Sequence, residues 1–268
     1  MANNTRNRIL ALAAGTFLAA GAFAFEPTDA APETYTASAI AVGGVNQLDT
    51  YLSPEKYRGV EFRFISEVTR VSRKHPLTYM LTHDGAIATT HNRVQNANEL
   101  SGHYDFAYAL MRRWTLADGK LQINAGGMVN AFLGFCYNTR NQSSNNPAQA
   151  YASVDIGPQI MARYTFSLWH KTFHLSYTAR LPLIGLGFSP NYGQSYYEIF
   201  QRGNNDHNIV FRSVATPQFR QQLALDIPVS KRVAIRVGYL GDYRQATPNN
   251  LKQHSYTHAG EIGVVLSR

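Results

Sequence analysis

The sequence contains one cysteine, Cys136, among 268 residues, so no intrachain disulfide can form even in an oxidising compartment. A lone thiol makes no metal site by itself and reads as a small core residue. The nine histidines follow no HxH, HxxxH or Cys/His spacing with acidic neighbours, and no metal or other cofactor is expected. Phosphate loops and dinucleotide fingerprints are missing too: "GGMVNAFLG" has the wrong spacing and lies inside a strand-like segment. No basic run exceeds three residues, so the net charge of +8 is not a nucleic-acid footprint. After the N-terminal segment no run of about 18 apolar residues occurs, which excludes a transmembrane helix. The mean hydropathy of −0.27 leaves a membrane barrel open, because only every second strand residue faces lipid there.

The first 24 residues read as a signal peptide. Arg6 and Arg8 precede the apolar run "ILALAAGTFLAAGAFA", and Ala22-Phe23-Ala24 is a small-x-small cleavage site. The expected cut falls between Ala24 and Phe25, with no cysteine there to carry a lipid anchor. Residues 25–268 then form the exported chain, expected to be one barrel domain, with a net charge of +6 because two arginines leave and no acid does.

Period-2 alternation fills this chain, and no helical pattern matches it over comparable lengths. Around Leu100 to Leu116, Tyr104, Phe106, Tyr108, Leu110 and Trp114 share one face while Asp105 and Arg113 share the other. The same division recurs to the C-terminus. Soluble strands average about five or six residues, whereas these segments run to about twelve to twenty, long enough to cross a bilayer obliquely. Short turns at Ser72 to Pro76, Leu116 to Lys120, Trp169 to Thr172 and Val229 to Arg232 alternate with long loops at Val45 to Tyr57, His91 to Glu99, Asn138 to Gln149, Ser189 to about His207 and Ala246 to His254. Outer-membrane barrels alternate in this way. The expected fold is an all-β, antiparallel up-and-down transmembrane barrel of ten strands, with twelve as the alternative if Tyr192 to Arg202 or the segment around Pro217 hides a hairpin. The apolar face then meets lipid, and a long-stranded soluble sandwich is the competing architecture.

The polar face supplies a candidate lumen network: Glu61, Arg63, Glu67, Asp105, Arg113, Asp155, Arg163, Arg180, Arg236, Asp242, Arg244 and Glu261, joined by Arg212, Arg220 and Asp226. Ten strands enclose little space, so these side chains are expected to pair as a polar plug. The alternative is a narrow anion-preferring pore, since arginines outnumber carboxylates in this set, eight to seven. Catalysis at the rim would need a nucleophile, a base and an orienting group within reach. His83-Asp84, Asp206-His207 and Ser255 with His258 are the available combinations. Neighbours on a strand point to opposite faces, and "RGNNDHN" reads as a polar turn, so the expectation is a non-enzyme.

Two loop segments, "NQLDTYLSPEKYRG" and "SPNYGQSYYEIFQRGNN", concentrate aromatic and apolar residues: Tyr51, Leu52, Tyr57, Tyr192, Tyr196, Tyr197, Ile199 and Phe200. With Pro54 and Glu198 they form a candidate surface for a protein partner. The other reading is that they fold inward and cap the barrel. Through "DTYLSPEKYRG", "SPNYGQSYYEIF" and "LALDIPVSKRVAIRVGYLGDYRQATPNNL" the chain resembles a family of exported Bacteroidota proteins defined by a domain of unknown function. That resemblance implies an outer-membrane barrel and transfers no catalytic residue. It also suggests an accessory subunit of a larger outer-membrane machine that inserts barrels or exports surface lipoproteins. The chain ends "VVLSR", without the terminal aromatic common in barrel insertion signals.

Overall fold

A computed structural model describes residues 34–139 and 146–267. The expected signal segment with its Ala24–Phe25 cut lies outside the described residues. Twelve strands run in chain order: β1 (Thr34–Asp49), β2 (Tyr57–Val71), β3 (Leu77–Asn92), β4 (Asn98–Leu116), β5 (Leu121–Asn138), β6 (Ala148–Leu168), β7 (Lys171–Arg180), β8 (Ile184–Phe188), β9 (Ile209–Arg212), β10 (Phe219–Pro228), β11 (Val233–Ala246) and β12 (Gln253–Ser267). Every pairing is antiparallel. β1 to β7 pair in succession, β10 follows β7, β11 and β12 follow β10, and β12 closes onto β1, which gives a ring of ten.

The remaining two strands are extensions of the ring rather than members of it. β7 pairs with the lower part of β6 and β8 with its upper part, at Ala152 to Ile156. Between them Leu181, Pro182 and Leu183 stand opposite only Gly157 and Pro158. Leu181 and Leu183 donate their N–H groups to the carbonyls of Pro158 and Ile156, and Pro182, which has no N–H, is the extra residue. A side chain at Gly157 would collide with the Leu181 carbonyl. β9 and β10 are likewise one strand interrupted at residues 213–218. β9 pairs with β8 alone, so the wall is open on its other side beside the end of β11. The two additional strands that a twelve-strand barrel would need do not form. Tyr192 to Arg202 holds a helix, α1 (Tyr196–Phe200), and Pro217 lies in the interruption.

Residue parity sorts the side chains as the alternation predicts. Val129, Leu133, Phe64 and Ile262 are about half exposed on the outside, while Asp105, Asn124, Asp242 and Glu261 are buried inside. Aromatic ring contacts flank the apolar belt: Phe219, Tyr243 and Tyr256 near the long loops, Tyr164, Phe166 and Phe173 near the short turns. Closing the ring leaves no unpaired edge across this belt, the condition for standing in hydrocarbon. The tight turn at Trp169 and His170 has positive φ at both residues, the backbone twist that two-residue hairpins favour.

The belt makes a direct prediction. Val129 pairs with Tyr108 about midway between the two aromatic girdles, so Val129→Arg should cost about 2–4 kcal/mol of stability in lipid. Urea titration of the refolded barrel in bilayers would measure this; a loss below about 1 kcal/mol would place Val129 outside the hydrocarbon.

Candidate functional site

The lumen is filled in layers. At its centre Arg63, on β2, bonds three carboxylates: Glu61 at 2.7 Å, Asp84 at 3.0 Å and Asp242 at 2.9 Å. Arg220 from β10 also binds Asp84. Arg244 joins Asp242 at 2.7 Å to Asp105 at 3.4 Å, and Arg180 holds Asp105 from the far side at 2.7 Å. A second cluster below it ties Arg236 to Asp226 at 2.7 Å and to Glu67 at 3.0 Å. Gln222 donates to Glu261, Asn130 to Asp105, and Arg212 reaches Asp155 at 3.3 Å. These side chains come from β2, β3, β4, β5, β6, β7, β9, β10, β11 and β12. The bonds therefore cross the barrel interior rather than run along one wall.

Asp84 changes the charge balance inferred from the sequence. It is fully buried at the centre of the network, while its neighbour His83 faces outward against Tyr104. Its carboxylate raises the acidic count to match the arginines, and Arg113 lies half-exposed at the short-turn end of β4. The arginine excess behind the anion-pore alternative is gone from the constriction. Arg163 sits at a lower level, its guanidinium 4.4 Å from the Tyr35 ring.

Beneath the ion pairs lies an apolar layer in which Met80, Met111, Met128 and Met161 pack with Ala109. Apart from Met1, these are all the methionines of the chain. Flexible thioethers fill irregular space well, and two of them also accept hydrogen bonds, Met80 from Gln159 and Met161 from Tyr35. Ala41, Ile65, Leu240 and Ala259 form a separate apolar cluster along another wall.

Above the ion pairs, at the long-loop end, the lumen widens into a vestibule of about 200 Å³. Gln47, Asp49, Glu99, Ser101, Tyr151 and Ser255 line its upper wall, and His103, Phe132, Arg212 and Arg244 line its floor. The loop between β1 and β2 folds over this end: Leu52 and Tyr57 are buried, Tyr51 donates its hydroxyl to the Gln194 carbonyl, and Pro54 stays exposed. Burial raises the Tyr51 phenol above its ordinary range.

Helix α1 is anchored by a capping box. The Ser195 hydroxyl accepts from the Glu198 N–H, and Glu198 accepts from the Ser195 N–H at 2.8 Å. The Ser195 N–H and hydroxyl hold the Glu198 carboxyl below its ordinary range. Tyr196 turns inward, where its hydroxyl donates to Gln149 and accepts from the Ala150 N–H, and its ring stacks on Phe200. Tyr192, Tyr197 and Phe200 remain on the surface, 82 %, 60 % and 68 % exposed. The aromatic loops thus divide between the two expectations: Leu52, Tyr57, Tyr196 and Ile199 help to close the top, and Tyr192, Tyr197 and Phe200 face outward.

The candidate catalytic pairs are not brought together. Asp206 and His207 are exposed loop residues. Ser255 lines the vestibule, whereas His258 sits outside the wall against Tyr239. Asp84, His103 and Asp242 do place possible ligand atoms within 4.8 Å of one another. Arg63, Arg220 and Arg244 already occupy those carboxylates, so the positive charge a metal would bring is supplied by guanidinium groups.

A family model described as "Protein of unknown function (DUF3316)" matches residues 9–267, and the chain belongs to that family. No curated protein matches it. Among solved structures it is similar to the outer membrane protease OmpT from Escherichia coli, at 8% identity and a TM-score of 0.47, covering 92% of this chain and 99% of that one. It is also similar to the translocator domain of the autotransporter NalP from Neisseria meningitidis, at 10% identity and a TM-score of 0.43, covering 98% and 97%. An outer membrane channel from Pseudomonas putida F1 aligns at 10% identity and a TM-score of 0.37, covering 91% and 100%. These are likenesses of architecture and bring no activity to this chain.

The network predicts a specific cost. Arg63→Ala leaves Glu61, Asp84 and Asp242 buried and short of a cation, and should destabilise the barrel by about 3–5 kcal/mol. The urea midpoint of the refolded protein in micelles would report it. A change below about 1 kcal/mol would mean that water screens the cluster as it does a surface pair.

Proposed function

We propose that this DUF3316 protein is an integral outer-membrane barrel with a sealed lumen that works through its extracellular face, as a structural or accessory subunit of an outer-membrane assembly. The observation that carries this reading is the ion-paired network across the lumen, backed by the methionine layer. A pore needs a continuous wet path lined by groups an ion can approach. Here Arg63, Arg180, Arg220, Arg236 and Arg244 are committed to Glu61, Glu67, Asp84, Asp105, Asp226 and Asp242. The non-catalytic part of the reading is supported by the separation of Ser255 from His258 and of His83 from Asp84.

What remains on offer is the extracellular surface. Tyr192, Tyr197 and Phe200 stand out from a capped, ring-stacked segment, and rigid aromatics of this kind anchor interfaces at little conformational cost. Ile209 and Phe211 on β9 extend the apolar surface beside them.

In planar bilayers the purified barrel should show no conductance steps; stable unitary steps would overturn the sealed lumen. In a mild-detergent pull-down from outer membranes, the wild-type chain should retain a near-stoichiometric protein that the Tyr192→Ala, Tyr197→Ala, Phe200→Ala variant loses with its melting temperature unchanged. A wild-type chain that purifies alone, or a partner retained by the variant, would remove the subunit reading.

A further inference from the structure

The vestibule above the plug contains two buried carboxyl groups that no guanidinium of the plug holds. Asp49 ends β1 and Glu99 lies at the start of β4, and both are buried, with 5 % and 3 % exposure. Asp49 accepts from the Tyr51 N–H at 2.9 Å and from the Tyr151 hydroxyl at 2.6 Å, and Glu99 accepts from Asn138 at 2.9 Å. Neither has an ion-pair partner among the described residues, in contrast to the arginine-paired carboxylates of the plug. The cations nearest below are already used: Arg212 by Asp155, and Arg244 by Asp242 and Asp105. Buried carboxylates lacking a counter-charge are costly, and either a proton or a bound cation relieves that cost.

The space beside them suits a guest. The cavity of about 200 Å³ has Phe132 and Phe188 among its walls, with the outward-facing Phe211 only at its edge. On its floor His103 Nε2 is buried without a hydrogen-bond partner in the protein. The strand pairing is interrupted between β9 and the end of β11, and Phe211, Thr216, Gln245 and Pro248 edge the cavity there.

We infer that the vestibule is a binding site for a small organic ammonium compound, its cationic head held by Asp49 and Glu99 and its apolar body by the phenylalanine wall. The site is independent of the subunit reading and needs only a folded barrel. It fits a ligand of roughly amino-acid size, since a cavity of about 150 Å³ already admits benzene.

The test compares 2-phenylethylammonium with the neutral 2-phenylethanol on the intact barrel in micelles by calorimetric titration. The ammonium should bind at least about tenfold more tightly, the value of one charged hydrogen bond. The Asp49→Asn, Glu99→Gln variant should lose that preference. Equal affinities, no binding of the ammonium, or a preference that survives in the variant would each overturn the assignment. Should the variant fail to fold, Cys136, which lines the same cavity and is the sole cysteine, gives a second readout. In the wild-type barrel, 2-aminoethyl methanethiosulfonate should modify it faster than the anionic 2-sulfonatoethyl reagent, and 2-phenylethylammonium should slow that reaction. Equal rates with the two reagents, or no protection, would overturn the site.

Discussion

Buried charge must be paired, and in this barrel that constraint organises the interior. The outer face of each strand faces lipid and is apolar, so the alternate residues, including most of the charges on the strands, point into a lumen only ten strands around. Strands distant in sequence then have to arrive in a register that brings each guanidinium to its carboxylates. Arg63 reaches Asp242, 179 positions away, and Arg180 reaches Asp105, 75 positions away. Misplacing one strand by one residue would turn its charges into lipid and leave their partners unpaired. The network adds little net stability over an apolar core of equal volume, but its loss in part is costly. It functions as a register lock as much as a seal.

The two ends of the lumen follow from this centre. Toward the short turns the packing becomes apolar, with methionines closing what the ion pairs leave. Toward the long loops the strands outrun the lipid belt, and the space above the ion pairs is roofed by the β1–β2 loop and by α1. The interruption of β9 and β10 opens the wall at this level alone, above the stacked Phe219–Tyr243 pair that marks the girdle. The vestibule therefore lies at the long-loop end, with the ion-pair layer between it and the short turns.

Much of this was legible in the sequence, for a physical reason: period-2 parity is local. Once the outer face is apolar, the inward position of Arg63, Asp105, Asp242 or Glu261 follows from counting, and the alternating turn lengths give the ten-strand ring. Parity also placed Asp84 opposite His83. Its membership in the lumen network depends on Arg63 and Arg220, which belong to other strands and are invisible locally. The four clustered methionines all have inward parity, but an apolar residue type on the polar face breaks the alternation that marks the lumen and so does not announce a layer of its own. The bulge at Pro182 could have been suspected from a proline within a strand. Loop side chains were not legible: Tyr196 and Tyr197 are neighbours of the same type, and the turn of a short helix sends one inward to Gln149 and the other to solvent. The vestibule was missed for the same reason, since its walls are assembled from strand ends and loops remote in the chain.

The central claim is that the lumen is sealed between vestibule and short-turn end, and sided thiol chemistry tests it directly. In a Cys136→Ser background, one cysteine would replace Ser255, which lines the vestibule, and another would replace Gln122, on the inward face of β5 at the opposite end. A membrane-impermeant maleimide added to oriented proteoliposomes should modify the first only from the long-loop side and the second only from the short-turn side. Modification of the Gln122 position from the long-loop side would mean that the ion-pair layer admits solutes and that the barrel is a pore.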